Sequence, residues 1–277
     1  MTEIKNYRFN IGQFDVLMLH DGGGPRPASG FLASAPQDEL AQVIKAQGLD
    51  PNAIDAAITP MVINTGSELV LIDTGLGGER GDLPARLKEA GIEVDDIDAV
   101  IVTHGHGDHV GGIVDANGEF VFPNADYIFW KSEWEYWAGD EPRPGAHPTA
   151  WVALKAHPDL IVLVGGENQT EAEIMPGICA VAAPGHTVGH IAVELSSDGE
   201  KLLHVADAVH HWFQLDRPEW SPTFDYDPVQ SAVTRKAIFE RAARDGSLFS
   251  AYHFPFPGLG RVDEQGGKFT WEQVGKV

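Results

Sequence analysis

The chain has 277 residues, 43% of them hydrophobic, and carries 19 Lys and Arg against 41 Asp and Glu, a formal charge of −22. That is ample apolar material for one large domain over residues 1–277, and the charge disfavours a nucleic-acid partner, because phosphate backbones are held mainly by Lys and Arg. No apolar run approaches the roughly 20 residues that cross a bilayer, so no membrane partner is expected; the polar start Met1-Thr2-Glu3-Ile4-Lys5-Asn6 lacks a secretory core, and a cytoplasmic location is the expectation.

In chain order, Tyr7 to Leu19 reads as one or two strands. Gly22-Gly23-Gly24-Pro25-Arg26-Pro27 is too rich in Gly and Pro for regular structure; with Phe31-Leu32 behind it, it is a candidate pocket wall or an ordinary surface loop. Pro36 to Gln47 reads as a helix, Met61 to Asp73 as a hairpin turning near Gly66-Ser67, and Asp82 to Ala90 as a helix. The apolar, β-branched stretch Ile97 to Val102 is a buried strand that feeds the most informative segment of the chain.

That segment is Thr103-His104-Gly105-His106-Gly107-Asp108-His109, four side chains able to bind a transition metal within six residues. If the chain stays extended as it leaves the strand, His104 and His106 point the same way and can converge on one ion. Asp108 and His109 are out of phase with them and, after a turn at Gly105 and Gly107, can face a second. Imidazoles with a carboxylate suit zinc and also manganese, iron or cobalt, and the absence of thiolates argues for an open, hydrolytic site over a structural one.

Further on, Phe120 to Phe122, Tyr127 to Phe129, Ile161 to Val164, Ile178 to Ala182, Ile191 to Leu195 and Lys201 to Val205 read as strands. Lys131 to Trp137, Thr149 to Ala156 and Asp227 to Arg244 read as helices. Cys179 is the single cysteine; its apolar surroundings make it a buried, inert thiol. His20, His147, His157 and His204 carry no motif and read as structural or solvated.

The cluster matches the HxHxDH signature of the metallo-β-lactamase fold superfamily, which the chain resembles at His104, His106, Asp108 and His109. The superfamily's later positions are matched by His186 in Pro184-Gly185-His186-Thr187, by Asp207 after Lys201 to Ala206, and by His253 in Ser250-Ala251-Tyr252-His253. The resemblance implies an α/β fold, an αββα sandwich of two facing mixed sheets covered by helices, with the metal site at one edge. It implies two divalent ions, zinc first: one on His104, His106 and His186, the other on Asp108, His109 and His253, with Asp207 bridging. It also implies that Asp73, after an apolar strand, supports the metal loop without binding metal, and His190 is expected in a similar role.

The segments Asp207-Ala208-Val209-His210 and Tyr252 to Gly260 look like the methyl parathion hydrolase group, relatives of the acyl-homoserine lactone lactonases. Val188 and Ala206 depart from the proline and glycine frequent in that pattern. In those relatives the N-terminal segment approaches the site or a dimer partner, so a homodimer is expected. Phe31, His210, His211, Trp212, Phe213 and Phe254 are read as the apolar pocket of a small-molecule substrate. Two adjacent cations would yield a hydroxide at neutral pH that attacks a carbonyl or phosphoryl centre, and Asp108 could pass a proton to the leaving group. The expected function is hydrolysis of lactones or esters, with organophosphate cleavage as a side activity. A glyoxalase-like thioesterase is an alternative, although the short stretch after His253 leaves no room for that enzyme's glutathione-binding domain. A non-catalytic metal-dependent binding or sensor protein is the other.

Overall fold

The structure is a computed structural model and describes residues 5–275; residues 1–4, most of the start read above as non-secretory, and 276–277 lie outside the described residues. In chain order the strands are β1 (Asn6–Ile11), β2 (Phe14–Leu19), β3 (Gly22–Arg26), β4 (Ile54–Ile58), β5 (Met61–Asn64), β6 (Leu69–Ile72), β7 (Ala99–Val102), β8 (Asp126–Trp130) and β9 (Ile161–Val164). There follow β10 (Glu171–Met175), β11 (Ile178–Ala182), β12 (Ile191–Ser197), β13 (Glu200–His204), β14 (Leu248–Ser250), β15 (Leu259–Gln265) and β16 (Lys268–Gln273). The helices are α1 (Ala28–Phe31), α2 (Gln37–Ala46), α3 (Leu83–Glu89), α4 (Gly107–Val110), α5 (Lys131–Trp137), α6 (Pro148–Ala156) and α7 (Pro228–Asp245).

Among the described residues the strands form two seven-stranded mixed sheets, ordered β1-β2-β5-β6-β7-β8-β9 and β10-β11-β12-β13-β14-β15-β16. Side chains alternate across each strand, so strands apolar at every position bury both faces. From β6 and β7, Val70, Ile72, Ala99 and Ile101 point between the sheets to meet Ile178, Ala180, Val193 and Leu202. Their neighbours Leu71, Val100 and Val102 point outward against Leu83 and Leu87 of α3 and Trp151 and Leu154 of α6. On the far side, Val181, Ala192, Leu203 and Phe249 pack under Ile238, Phe239 and Ala242 of α7. The result is the αββα sandwich. Helix α7 starts where Asp227 accepts from the backbone N–H of Val229 and Gln230, with Pro228 at its first position, and ends at Gly246 with φ 61°.

Three readings are corrected. Gly22 to Arg26 is a strand, paired with β4 from Gly22↔Ile58 to Arg26↔Ile54. Glycine permits that pairing: at Gly23, φ 104°, a Cβ would lie 2.2 Å from Ala56 O. Phe120 to Phe122 makes only an isolated bridge from Val114 to Phe120; Phe122 instead turns into the core, where its carbonyl accepts from the Tyr127 hydroxyl at 3.2 Å. Cys179 is half-buried rather than buried, with burial and Glu171 pushing its thiol pKa up. No helix of the described residues is long and apolar enough to cross a membrane.

Candidate metal centre

Strands β6, β7, β11, β13 and β14 all end at the same edge of the sandwich, and the loops leaving them carry Asp73, His104 to His109, His186, Asp207 and His253. Sheet is tied to sheet there by the Ile191 N–H donating to Thr103 O at 3.0 Å. Directly after β6, Asp73 has φ 59°. Its carboxylate accepts from the Thr103 N–H at 2.8 Å and the Thr103 hydroxyl at 2.7 Å, and lies 2.7 Å from His109 Nδ1. With Nδ1 so engaged, His109 turns its Nε2 into the cluster. Gly105 lets the loop pass against Trp137, whose ring would be 2.6 Å from a Cβ there.

The donor atoms converge in overlapping groups, each spanning no more than 4.8 Å: His104, His106 and His186; His104, His109 and Asp207; Asp108, His109 and His253; His186, Asp207 and His210. Asp207 is common ground. Its Oδ2 is 3.4 Å from His186 Nε2 and 3.2 Å from His253 Nε2, and its Oδ1 is 3.1 Å from His109 Nε2. His106 Nδ1 lies 3.0 Å from His104 Nε2 and 2.9 Å from His186 Nε2. Three imidazole nitrogens so placed cannot all be satisfied by one another's protons, and His109 Nε2 and Asp207 Oδ1, fully buried, face only each other at 3.1 Å among the described residues. Oxygen and nitrogen donors with lone pairs converging at these separations fit divalent cations.

The electrostatics keep His104 and His106 neutral and Asp108 and Asp207 ionised, the forms a cation requires, whereas His109 and His253, set among these carboxylates, hold a proton more tightly in the absence of a cation. Burial and the neighbouring His186 push the His106 pKa down to about 3, and burial with His109 beside it holds His104 neutral as well. Burial opposes charge on Asp207, but His253 and His109 outweigh it and hold the carboxyl well below its usual range; His109 and His253 do the same, less strongly, for Asp108. Around His109, Asp207 and Asp73 overcome the burial penalty and raise its pKa well above the imidazole range.

The surrounding residues were only partly foreseen. His190 Nε2 accepts from the Asp207 N–H at 3.2 Å. Glu133 was missed: fully buried, its carboxylate accepts from the Gly105 and Gly189 N–H groups, Trp137 Nε1 and the Thr187 hydroxyl, tying the His104–His106 turn to the His186 turn. Tyr252 stacks on His109 at 4.0 Å and donates to Asp108 O at 2.8 Å. Asp225 and Arg235 were also missed; they form a buried ion pair at 2.6 Å, and Asp225 Oδ1 lies 2.9 Å from His186 Nδ1. Nothing in the sequence marks Asp225. Arg235 left a trace, because it falls on the stripe Ser231, Thr234, Ile238, Phe239 and Ala242 that the 3.6-residue period directs to the core.

The cluster opens on a cavity of about 760 Å³ lined by Phe31, Tyr136, Trp137, Phe224 and Tyr226 alongside Asp108, His186 and His253. Of the expected pocket residues, Phe31 is on this wall. His210 is buried between Phe31 and Phe224, its ring 6.3 and 5.4 Å from theirs, and its Nε2 lies 3.3 Å from Asp207 Oδ2. The remaining four are away from the lining. His211 accepts from Phe213 N–H at the start of a short 3-10 turn, Trp212–Gln214. The Gln214 amide oxygen receives the His210 and His211 N–H groups, and its nitrogen donates to Trp220 O. The turn sends Phe213 into a cluster with Leu32, Leu40, Ile44 and Trp220. Trp212 packs on Phe254 and donates to Gln47, and Phe254 sits in the core under α7. Phe224, which the sequence did not single out, stands edge-on to His186 at 5.7 Å and 90°.

Comparison with known proteins agrees with this geometry. Among curated proteins, no sequence match is found. A solved structure of AidC, described as a dizinc quorum-quenching lactonase in complex with a product N-hexanoyl-L-homoserine, is similar over 98% of both chains, with 27% identity and TM-score 0.88. The hydrolase AbOPH of the beta lactamase superfamily is similar over 100% of both chains, with 27% identity and TM-score 0.85. A probable metal-dependent hydrolase from Staphylococcus aureus shares the fold at 22% identity over 97% of this chain and 100% of its own, with TM-score 0.80. The metallo-beta-lactamase superfamily profile matches residues 56–253, a span that contains every converging donor; the chain belongs to that superfamily and is a hydrolase of its fold.

Proposed function

We propose that the chain is a dinuclear metal-dependent hydrolase of acyl lactones and related carboxylic esters. The observation that carries this reading is Asp207, whose two oxygens reach both donor groups at the foot of a largely aromatic cavity. His104, His106 and His186 would hold one ion and Asp108, His109 and His253 the other, with Asp207 between them. Zinc is the first choice, supported by the dizinc description of AidC. Bound there, two such ions would provide Lewis acidity and lower the pKa of water toward neutrality.

The chain's own residues do the rest. Phe31 and Phe224 flank the cluster and exclude water from the reacting group. Asp108 lines the cavity with its carboxyl held ionised by His109 and His253. It can therefore take a proton from the attacking oxygen and deliver it to the departing alkoxide. The segment that carries Arg26 to Phe31 forms part of the cavity wall, which supports its approach to the site. Phosphotriesters with aryl groups are a second substrate class, favoured by the aromatic lining.

The test joins metal content to a substrate panel. Protein as purified should hold about two divalent ions per chain and open N-acyl lactones faster than thioesters. At matched occupancy, Asp108→Asn should lose on the order of 10²-fold or more in kcat on aliphatic lactones and less on a nitrophenyl ester, whose phenolate needs little protonation. A fully active protein with one ion, or no turnover on any lactone or ester, would overturn the reading.

A further inference from the structure

Arg235 takes no part in the chemistry above, yet it is fully buried and uses all three guanidinium nitrogens. Its Nη2 meets Asp225 Oδ2 at 2.6 Å, Nε donates to Ala208 O at 2.8 Å, and Nη1 donates to Pro218 O, Trp220 O and Ser221 Oγ at 2.9, 3.2 and 2.8 Å. Ala208 follows Asp207, while Asp225 holds His186 Nδ1. One side chain on α7 thus holds the segment between β13 and α7 at both ends, at Ala208 beside Asp207 and at Asp225, the partner of His186. An apolar residue on this stripe would avoid the desolvation that a buried ion pair incurs.

We infer that Arg235 is a positioning residue of the metal centre. It orients the Asp225 carboxylate so that His186 is protonated at Nδ1 and presents the Nε2 lone pair to the cluster, and through Ala208 O it fixes Asp207 at the matching distance. The inference rests on the proposed role of these residues as metal ligands.

The substitution Asp225→Asn probes it directly. Arg235 requires an acceptor, so the oxygen of the new amide would turn to the guanidinium and its NH2 to His186 Nδ1, forcing the Nε2–H tautomer and removing the lone pair. Metal-stripped wild type, Asp225→Asn and Arg235→Lys are titrated with zinc against a chelator while circular dichroism follows the fold. The expected result is two tight sites in wild type; in Asp225→Asn the site on His186 weakened roughly 10–100-fold and the other unchanged; and in Arg235→Lys the site on His186 weakened to a similar extent, with a smaller loss at the other through Asp207, the fold being retained. Nitrogen-15 spectra of zinc-loaded wild type should show His186 protonated at Nδ1, a readout that needs no variant to fold. Equal affinities in all three proteins, loss of both sites in proportion to lost fold, or zinc on Nδ1 of His186 would overturn the inference. Wild type that binds two zinc ions but opens no lactone removes the substrate reading and leaves this one standing; wild type that binds no zinc removes both.

Discussion

Asp73 and Ala206, with φ 59° and 43°, hold left-handed backbone conformations at the ends of β6 and β13, each beside a residue of the cluster. Asp73 is held there by its three contacts to Thr103 and His109. Ala206, whose methyl can accept no hydrogen bond, has no such compensation, and glycine is the residue that would adopt this conformation without strain. A left-handed alanine costs roughly 1–2 kcal/mol. Glycine would relieve that but forfeit about 0.8 kcal/mol of methyl burial and about 0.5–1 kcal/mol of backbone entropy. Ala206→Gly is therefore expected to change stability by less than about 1 kcal/mol, whereas Ala206→Val, β-branched at positive φ in a fully buried position, should cost more than about 2 kcal/mol. Denaturant unfolding checks both, and a well-tolerated valine would refute the strain argument. The same scale shows what a sequence can reveal. His104, His106, Asp108 and His109 were legible because a loop of six residues brings its own donors together. Glu133 and Asp225 were not, since the contacts that tie them to the cluster, Glu133 to Gly105 across 28 residues and Asp225 to His186 across 39, are encoded by no local pattern.

At the scale of elements, the 3-10 turn Trp212–Gln214 decides which aromatics meet substrate. The sequence placed four aromatic or histidine residues after Asp207 in a pocket; the turn, clamped by Gln214, sends all but His210 toward α2 and α7. Phe213→Ala should therefore cost about 3–5 kcal/mol of stability, as for other buried Phe, without altering preference among substrates. Phe224, 45% exposed on the cavity wall, should behave in the opposite way. Its alanine variant is expected to melt close to wild type, within about 0.5 kcal/mol, and to lose kcat/KM selectively on bulky acyl or aryl substrates. A Phe213 variant that melts normally but discriminates poorly would exchange these assignments. Elsewhere the elements were readable where apolar runs were long, as in β7 and β12, and less so at the periphery. The hairpin of β15 and β16 was passed over although Gly266-Gly267 between alternating runs is a turn signal. Strand β3 was missed because glycine and proline richness, read as incompatible with regular structure, here allows close pairing.

Over the whole molecule, stability and acidity are linked through buried histidines as well as through the excess of carboxylates. Burial pushes the pKa of His211 down to about 3 and that of His204 to about 4, against 6.5 for an exposed imidazole. Each is neutral in the fold but protonates in the unfolded chain, so the unfolded state binds more protons between pH 6.5 and the folded pKa. The stabilisation from each is complete above pH 6.5 and is lost as pH falls, at up to about 1.4 kcal/mol per pH unit per group. Asp207, whose pKa is depressed, adds its loss only below the ordinary carboxylate range of about 4. Acidification also relieves repulsion within a chain of formal charge −22, an opposing effect. At physiological salt the screening length is about 8 Å, so that relief is weak between exposed charges and nearly equal in two proteins that differ at one buried site. His211→Asn isolates the linkage, because asparagine can keep the cap on the 212–214 turn yet has no proton to gain. Urea unfolding of both proteins between pH 7 and 4 should give a wild-type curve that steepens below pH 6.5 and a variant curve that is flatter over the same window. Parallel curves would show that His211 is not held neutral by its burial, and the acid sensitivity would then belong to the metal cluster and its carboxylates.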